Sequence, residues 1–285
     1  MRKSKRCQWF KGVVATGCRA FSPGARGSSA SITLLVFCGF TVLQFGSPCP
    51  LARTTAVAAN SGIDHSAEIA GPILADGSAI VIDDNVYIPE NAGEGWSLSS
   101  PDPDVLRFEL RRGDHWSSSY WIDPPSSERD EIAGQTVYPS GTQINIAYDF
   151  MVEPGQTNSA SGPGRWLVLG QMHEYKVPQS PPLAIELVNG DHMAINIGTR
   201  KLVYVYIDPN PIQRGHYYSM NIQVKFANNG DGFLQVWRDG AHIVDYHGSI
   251  GTGVGTYWKQ GIYRSSAQET ISVNFRRLKI TAVAG

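Results

Sequence analysis

Ile144-Asn145-Ile146-Ala147-Tyr148-Asp149-Phe150 alternates apolar side chains with polar or small ones, the period of a strand that buries one face and wets the other. The same alternation returns upstream in Val105-Leu106-Arg107-Phe108-Glu109-Leu110 and downstream in Tyr218-Ser219-Met220-Asn221-Ile222-Gln223-Val224. Between such runs stand Arg112-Gly113-Asp114, Asn189-Gly190-Asp191, Asn229-Gly230-Asp231-Gly232 and Arg238-Asp239-Gly240, residues that tolerate positive φ and close hairpins. No segment carries a helical apolar stripe over three turns, and no repeat of solenoid or propeller length is present. These features predict an all-β domain of two packed antiparallel sheets.

The charge distribution divides the chain. Eight of its 24 Lys and Arg residues lie in the first 58 positions, which contain no Asp or Glu; beyond Ala58, 16 basic side chains face 25 acidic ones, a net of −9. That balance excludes a general nucleic-acid binder. The first 58 residues have a basic start, an apolar run from Ile32 to Phe45 and an Ala56-Val57-Ala58 ending, the pattern of an export signal cleaved before Ala59. The alternative is an uncleaved membrane anchor, although the apolar run is short for a bilayer. Secretion, or a periplasmic location, is the expectation, with a monomeric domain free of the membrane.

All four cysteines fall in that leader, so the domain beyond it has neither disulfides nor thiolate metal sites and must be held by packing. Residues 59–75 are small and polar and read as a tail, leaving 76–285 as the domain. The Gly/Pro/Ser-rich stretch 153–164 is read as a loop, either bordering a cleft or a tolerated surface insertion. The histidines beyond the leader lack metal-ligand spacing, and neither a metal nor a cofactor is indicated.

Three segments carry polar side chains that sheet formation does not require: Arg129-Asp130-Glu131, Gln171-Met172-His173 and Tyr257-Trp258-Lys259-Gln260-Gly261-Ile262-Tyr263-Arg264. Residues two apart in a strand share a face, so Gln171 pairs with His173, Arg129 with Glu131, and Tyr257, Lys259, Gly261 and Tyr263 form one row. Gathered on one sheet, they offer cations, an amide, an imidazole and phenols. Eliminating across the C4–O4 bond of a 4-linked uronic acid needs those groups: donors for the carboxylate, a base for the C5 proton and an acid for O4.

Tyr-x-Lys-x-Gly-x-Tyr near the C-terminus, Gln-x-His mid-chain and Arg-x-Glu earlier resemble, in order, the signatures of jelly-roll alginate, glucuronan and heparin lyases. The resemblance runs from about Val105 to Ala282. It implies a concanavalin-like β-jelly roll with a concave groove and a polyanionic polysaccharide as partner. It places charge neutralisation on Arg129 and Gln171, base chemistry on His173 and acid or dual chemistry on Tyr263. Glu131, Tyr257, Lys259, Arg264 and Arg200 would belong to the substrate groove. Arg264-Ser265 stands where alginate lyases carry Asn-Gln, which shifts weight toward glucuronan-like polymers.

Two other functions fit parts of the pattern. A non-catalytic carbohydrate-binding sandwich would use the same aromatic and polar groove. A glycoside hydrolase needs two carboxyls facing one bond, whereas Glu128 and Glu131 point to opposite faces of a strand.

Overall fold

The computed structural model describes residues 71–72, 78–162, 164–198 and 201–283. The expected export leader, and the tail apart from Gly71 and Pro72, lie outside them. Gly71–Pro72 pairs with Ser99 and Ser100, so sheet structure begins inside the stretch read from sequence as a tail.

The alternating runs become strands in two eight-stranded sheets, and every strand pairing is antiparallel. In spatial order the first sheet contains Gly71–Pro72 (β1), Leu98–Ser100 (β4), Val105–Leu110 (β5), Ile271–Val283 (β16), Gln143–Val152 (β7), Tyr218–Lys225 (β12), Phe233–Arg238 (β13) and Ala241–His247 (β14). The second contains Val203–Ile207 (β11), His192–Ile197 (β10), Leu183–Val188 (β9), Leu167–Glu174 (β8), Thr256–Ser265 (β15), Ser127–Gly134 (β6), Asn85–Glu90 (β3) and Ile80–Ile82 (β2). Consecutive hairpin strands, such as β8 to β11 and β12 to β14, are joined in each sheet by strands from distant parts of the chain, with β16 between β5 and β7 and β15 between β8 and β6, as in a jelly roll.

Period two decides the packing. On β7, Ile144, Ile146, Tyr148 and Phe150 are buried while Asn145 and Ala147 are partly open. Facing them across the sandwich, β15 turns Trp258 and Ile262 inward, and the Tyr148 and Trp258 rings meet at 5.8 Å. Removing a side chain such as Phe150 from this core would cost about 3–5 kcal/mol. The turn residues behave as read: Asn189, Gly190 and Asp191 all have positive φ between β9 and β10, as do Asp239 and Gly240 between β13 and β14.

The stretch 153–164 contains a short 3₁₀ turn, Ser159–Ser161, capped by the Asn158 side chain. None of its described residues lines the cleft of the second sheet, and Asn158, Ala160 and Ser161 are buried, so the stretch is neither a cleft border nor a mere surface insertion.

Candidate active site

The cleft, of about 550 Å³, lies on the face of the second sheet turned away from the core. Its floor is set by the position of β15 between β6 and β8. Tyr263 pairs with Arg129, Gly261 with Glu131, Lys259 with Gln171, and Tyr257 with His173. The three polar segments singled out in the sequence are therefore neighbouring strands, and their same-face residues meet.

Gly261 makes that fit possible. Its φ of +141° is unfavourable for other residues, and a Cβ there would stand 2.3 Å from the Asp130 carbonyl oxygen. Register shifts on β8, between Val168 and Gly170 against β9, and on β15, between Gln260 and Tyr263, accompany this close approach. As a result Val168 and Gln171, an odd number of residues apart, both line the cleft.

At the centre lies Glu131, with no exposed surface. It accepts hydrogen bonds from Arg129 Nη1 at 2.7 Å and Gln171 Nε2 at 2.6 Å, and pairs with Lys259 Nζ at 2.8 Å. This corrects the expectation that Glu131 binds substrate: it lies beneath the surface and holds three donors in place. Burial opposes its charge, but Lys259 and Arg129 more than offset that and hold its carboxyl below the usual range.

Glu90 on β3 adds a second carboxylate, 2.5 Å from Lys259 Nζ and 3.1 Å from Arg129 Nη1. Asp123 adds a third, taking Arg129 Nε at 2.9 Å and Nη2 at 3.0 Å. Burial works against the Lys259 charge; Glu131 and Glu90 outweigh it and raise the ammonium above its ordinary pKa. Burial likewise opposes the Arg129 charge, and Glu131, Asp123 and Glu90 raise it despite that. Both cations are therefore fixed.

His173 Nδ1 lies 3.0 Å from the Glu174 carbonyl oxygen. A carbonyl only accepts, so Nδ1 carries the proton and Nε2 keeps its lone pair. Burial is the largest influence on this ring and holds its pKa below the ordinary value, with Lys259 and Arg129 adding to the effect. The ring is thus a neutral base at neutral pH. Tyr257 lies opposite, ring centroids 5.7 Å apart, its phenol raised by burial.

Tyr263 stands toward the other end of the strand. The Arg129 guanidinium lies 3.8 Å above its ring and Trp166 packs 4.3 Å from it. The cation stacked on Tyr263 is Arg129, while Lys259 is engaged by Glu90 and Glu131.

Two expected groove cations remain. Arg264 follows Tyr263 by one residue and so points the opposite way, fully buried on the inner face with its Nε 2.8 Å from Glu128 Oε2. It is not a groove residue, because strand parity turns it inward. Arg200 lies outside the described residues.

The rim was not found from sequence. Trp116, Tyr120 and Trp121 line the cleft from a small hairpin tied by the Ser118 N–H to the Trp121 carbonyl at 2.8 Å. Tyr120 is 79% exposed and Trp121 45%. Asp123 joins rim to floor, since it accepts from Trp121 Nε1 at 2.8 Å as well as from Arg129. Residues 178–181 line the cleft too, as do Glu186 and Asn196. The clue available in the sequence was the density of aromatic residues between Trp116 and Trp121.

The sequence from residue 97 to 279 matches the family model described as polysaccharide lyase. The chain belongs to the polysaccharide lyase family. Among solved structures, the endo-β-1,4-glucuronan lyase of the fungus Trichoderma reesei is similar at 10% identity and a TM-score of 0.51, over 75% of this chain and 94% of that one. Alginate lyase AlyC3 is similar at 14% identity and a TM-score of 0.49, over 66% and 79%. The alginate lyase from Klebsiella pneumoniae gives 13% and 0.49, over 67% and 86%. No curated protein matches the chain in sequence. Membership makes this chain a polysaccharide lyase with a jelly-roll fold, and its substrate a polysaccharide.

Proposed function

We propose that the cleft splits a 4-linked uronic-acid polysaccharide by β-elimination. The observation that carries this reading is the placement of His173, its Nδ1 on the Glu174 carbonyl and its Nε2 left as an acceptor, beside donors that retain hydrogens. Arg129 spends four N–H bonds on Asp123, Glu90 and Glu131. A guanidinium has five, so one is left. Lys259 keeps one N–H beyond Glu90 and Glu131, and Gln171 one beyond Glu131. Together they can hold the C5 carboxylate as negative charge builds on it.

His173 Nε2 takes the C5 proton, the electron pair forms the C4=C5 bond, the C4–O4 bond breaks, and the Tyr263 hydroxyl protonates O4. Proton return through solvent from the imidazolium to the phenolate resets the pair. Glucuronan and alginate are the first substrates to test, and heparin-like chains the next. The leader pattern in residues 1–58 supports action outside the cell.

A second assignment has its own support: Tyr257 lies directly opposite His173, which would put acid and base together at one end of the floor. The test is the ultraviolet absorbance of unsaturated ends formed from a polyuronate panel. Tyr263→Phe is expected to lose about 10²–10⁴-fold in kcat, with Tyr257→Phe altering mainly KM. The reverse pattern moves the acid to Tyr257. Absence of unsaturated product from every polymer overturns the elimination.

A further inference from the structure

Cross-strand pairing carries the cleft beyond the ion cluster. Arg129 pairs with Tyr263, Tyr263 with Val168, and Val168 with Glu186 on β9, so these residues form one row across the sheet. Two strand spacings, about 10 Å, separate Tyr263 from Glu186. A parallel row runs from Lys259 through Gln171 and Ala184 to Asn196 and Tyr204. A sugar chain lying across the strands would meet the cations first and Glu186 later.

The far end has the opposite chemistry. Glu186, which lines the cleft and is almost wholly buried, accepts from Tyr204 Oη at 3.0 Å and from the Asn196 amide. Each of its oxygens accepts one of these bonds; burial raises its carboxyl above the ordinary value, and the Tyr204 and Asn196 donors oppose that. Among the described residues no Lys or Arg forms an ion pair with it. Asn196 also lines the cleft, and its buried Oδ1 has no hydrogen-bond partner. This pole offers acceptors and negative charge where the other offers donors.

Resting on the elimination proposed above, we infer that Glu186, held by Tyr204 and Asn196, is a specificity-determining residue of a subsite that receives hydroxyl donors of an uncharged sugar unit and disfavours a uronate there. The preferred polymer is then mixed, with the cleaved uronate near the cations and a neutral unit over β9 and β10. A carboxylate has about four lone-pair positions, of which the protein fills two on Glu186. Sugar hydroxyls can fill the others; a second carboxylate cannot.

The probes are β-1,4-glucan oligosaccharides of equal length, one oxidised to the carboxylate at every C6 and one at half of them. Calorimetry on a His173→Ala background keeps the ligands intact. The partly oxidised oligomer is expected to bind more tightly, and Glu186→Gln to narrow that ratio by on the order of 10-fold, chiefly by tightening the fully oxidised one. Tyr204→Phe, which keeps the ring, should shift the ratio the same way by less, and it serves if Glu186→Gln does not fold. An unchanged ratio, or equal shifts for both oligomers, overturns the subsite. If the oligomers bind with the expected ratio yet the wild-type protein makes no unsaturated ends from these or any polymer of the polyuronate panel, the elimination fails and the subsite stands. If neither oligomer binds, the subsite is overturned.

Discussion

Two buried ion clusters lie back to back across β6 and β15, each built around a Glu–Arg pair. On the inner face Arg264 pairs with Glu128, both without exposed surface, and Glu128 also accepts from the Gly113 N–H at 2.9 Å and the Ala267 N–H at 3.3 Å. On the outer face Glu131 holds Arg129, Lys259 and Gln171 under the cleft. The inner pair pins two loops to the sheet, whereas the outer one presents donors to an open space. Burial and pairing of charge therefore do not mark a site in themselves. The difference lies in whether unspent hydrogens face room for a ligand.

The largest expected effect separates the clusters by stability. Glu128→Ala leaves the Arg264 charge buried without its carboxylate and should cost about 3–5 kcal/mol in denaturant unfolding. Turnover per folded molecule should be unchanged; a matching loss of kcat would make the inner pair part of the site. Glu131→Gln keeps the shape of the outer hub and removes its charge. Stability should fall by less than in Glu128→Ala, roughly 1–3 kcal/mol, while kcat/KM drops at least about 10-fold as the donors lose their alignment. Full activity in that variant would reduce the outer cluster to the status of the inner one.

The smallest effect is a matter of pH. Because burial lowers the His173 pKa, the free base persists below the ordinary histidine range, and the acid limb of kcat/KM should fall below about 6.5. Glu131 has the other linkage: its folded pKa is depressed, so its contribution to stability is present above the unfolded carboxylate value and is lost as pH falls through the folded one. Activity on the acid side should therefore fade before the fold does. Coincident loss of both, in parallel rate and circular-dichroism titrations, would break the separation.

Much of this arrangement was legible in the sequence because strands obey parity. Period two predicted the buried face of β7, the pairing of Gln171 with His173 and the row Tyr257, Lys259, Tyr263. Applied one residue further, the same rule turns Arg264 inward, against its assignment to the groove. What parity could not supply was depth and long-range partnership. Glu131 shares a face with Arg129, yet it is buried because Glu90 and the Asp123 segment come from elsewhere to crowd the cations. The aromatic hairpin 116–121 and Glu186 were missed for the same reason, since their place depends on which strands neighbour one another.

Gly261 has a consequence for how such a cleft can change. Where β15 presses on the Asp130 carbonyl there is no slack, so the floor cannot widen to suit a bulkier or differently linked sugar. The rim hairpin at 116–121 and the stretch at 178–181 are largely outside the sheet's ladders and can be exchanged without disturbing it. Changes in which sugars the cleft accepts are therefore expected at the borders of the groove rather than in its floor.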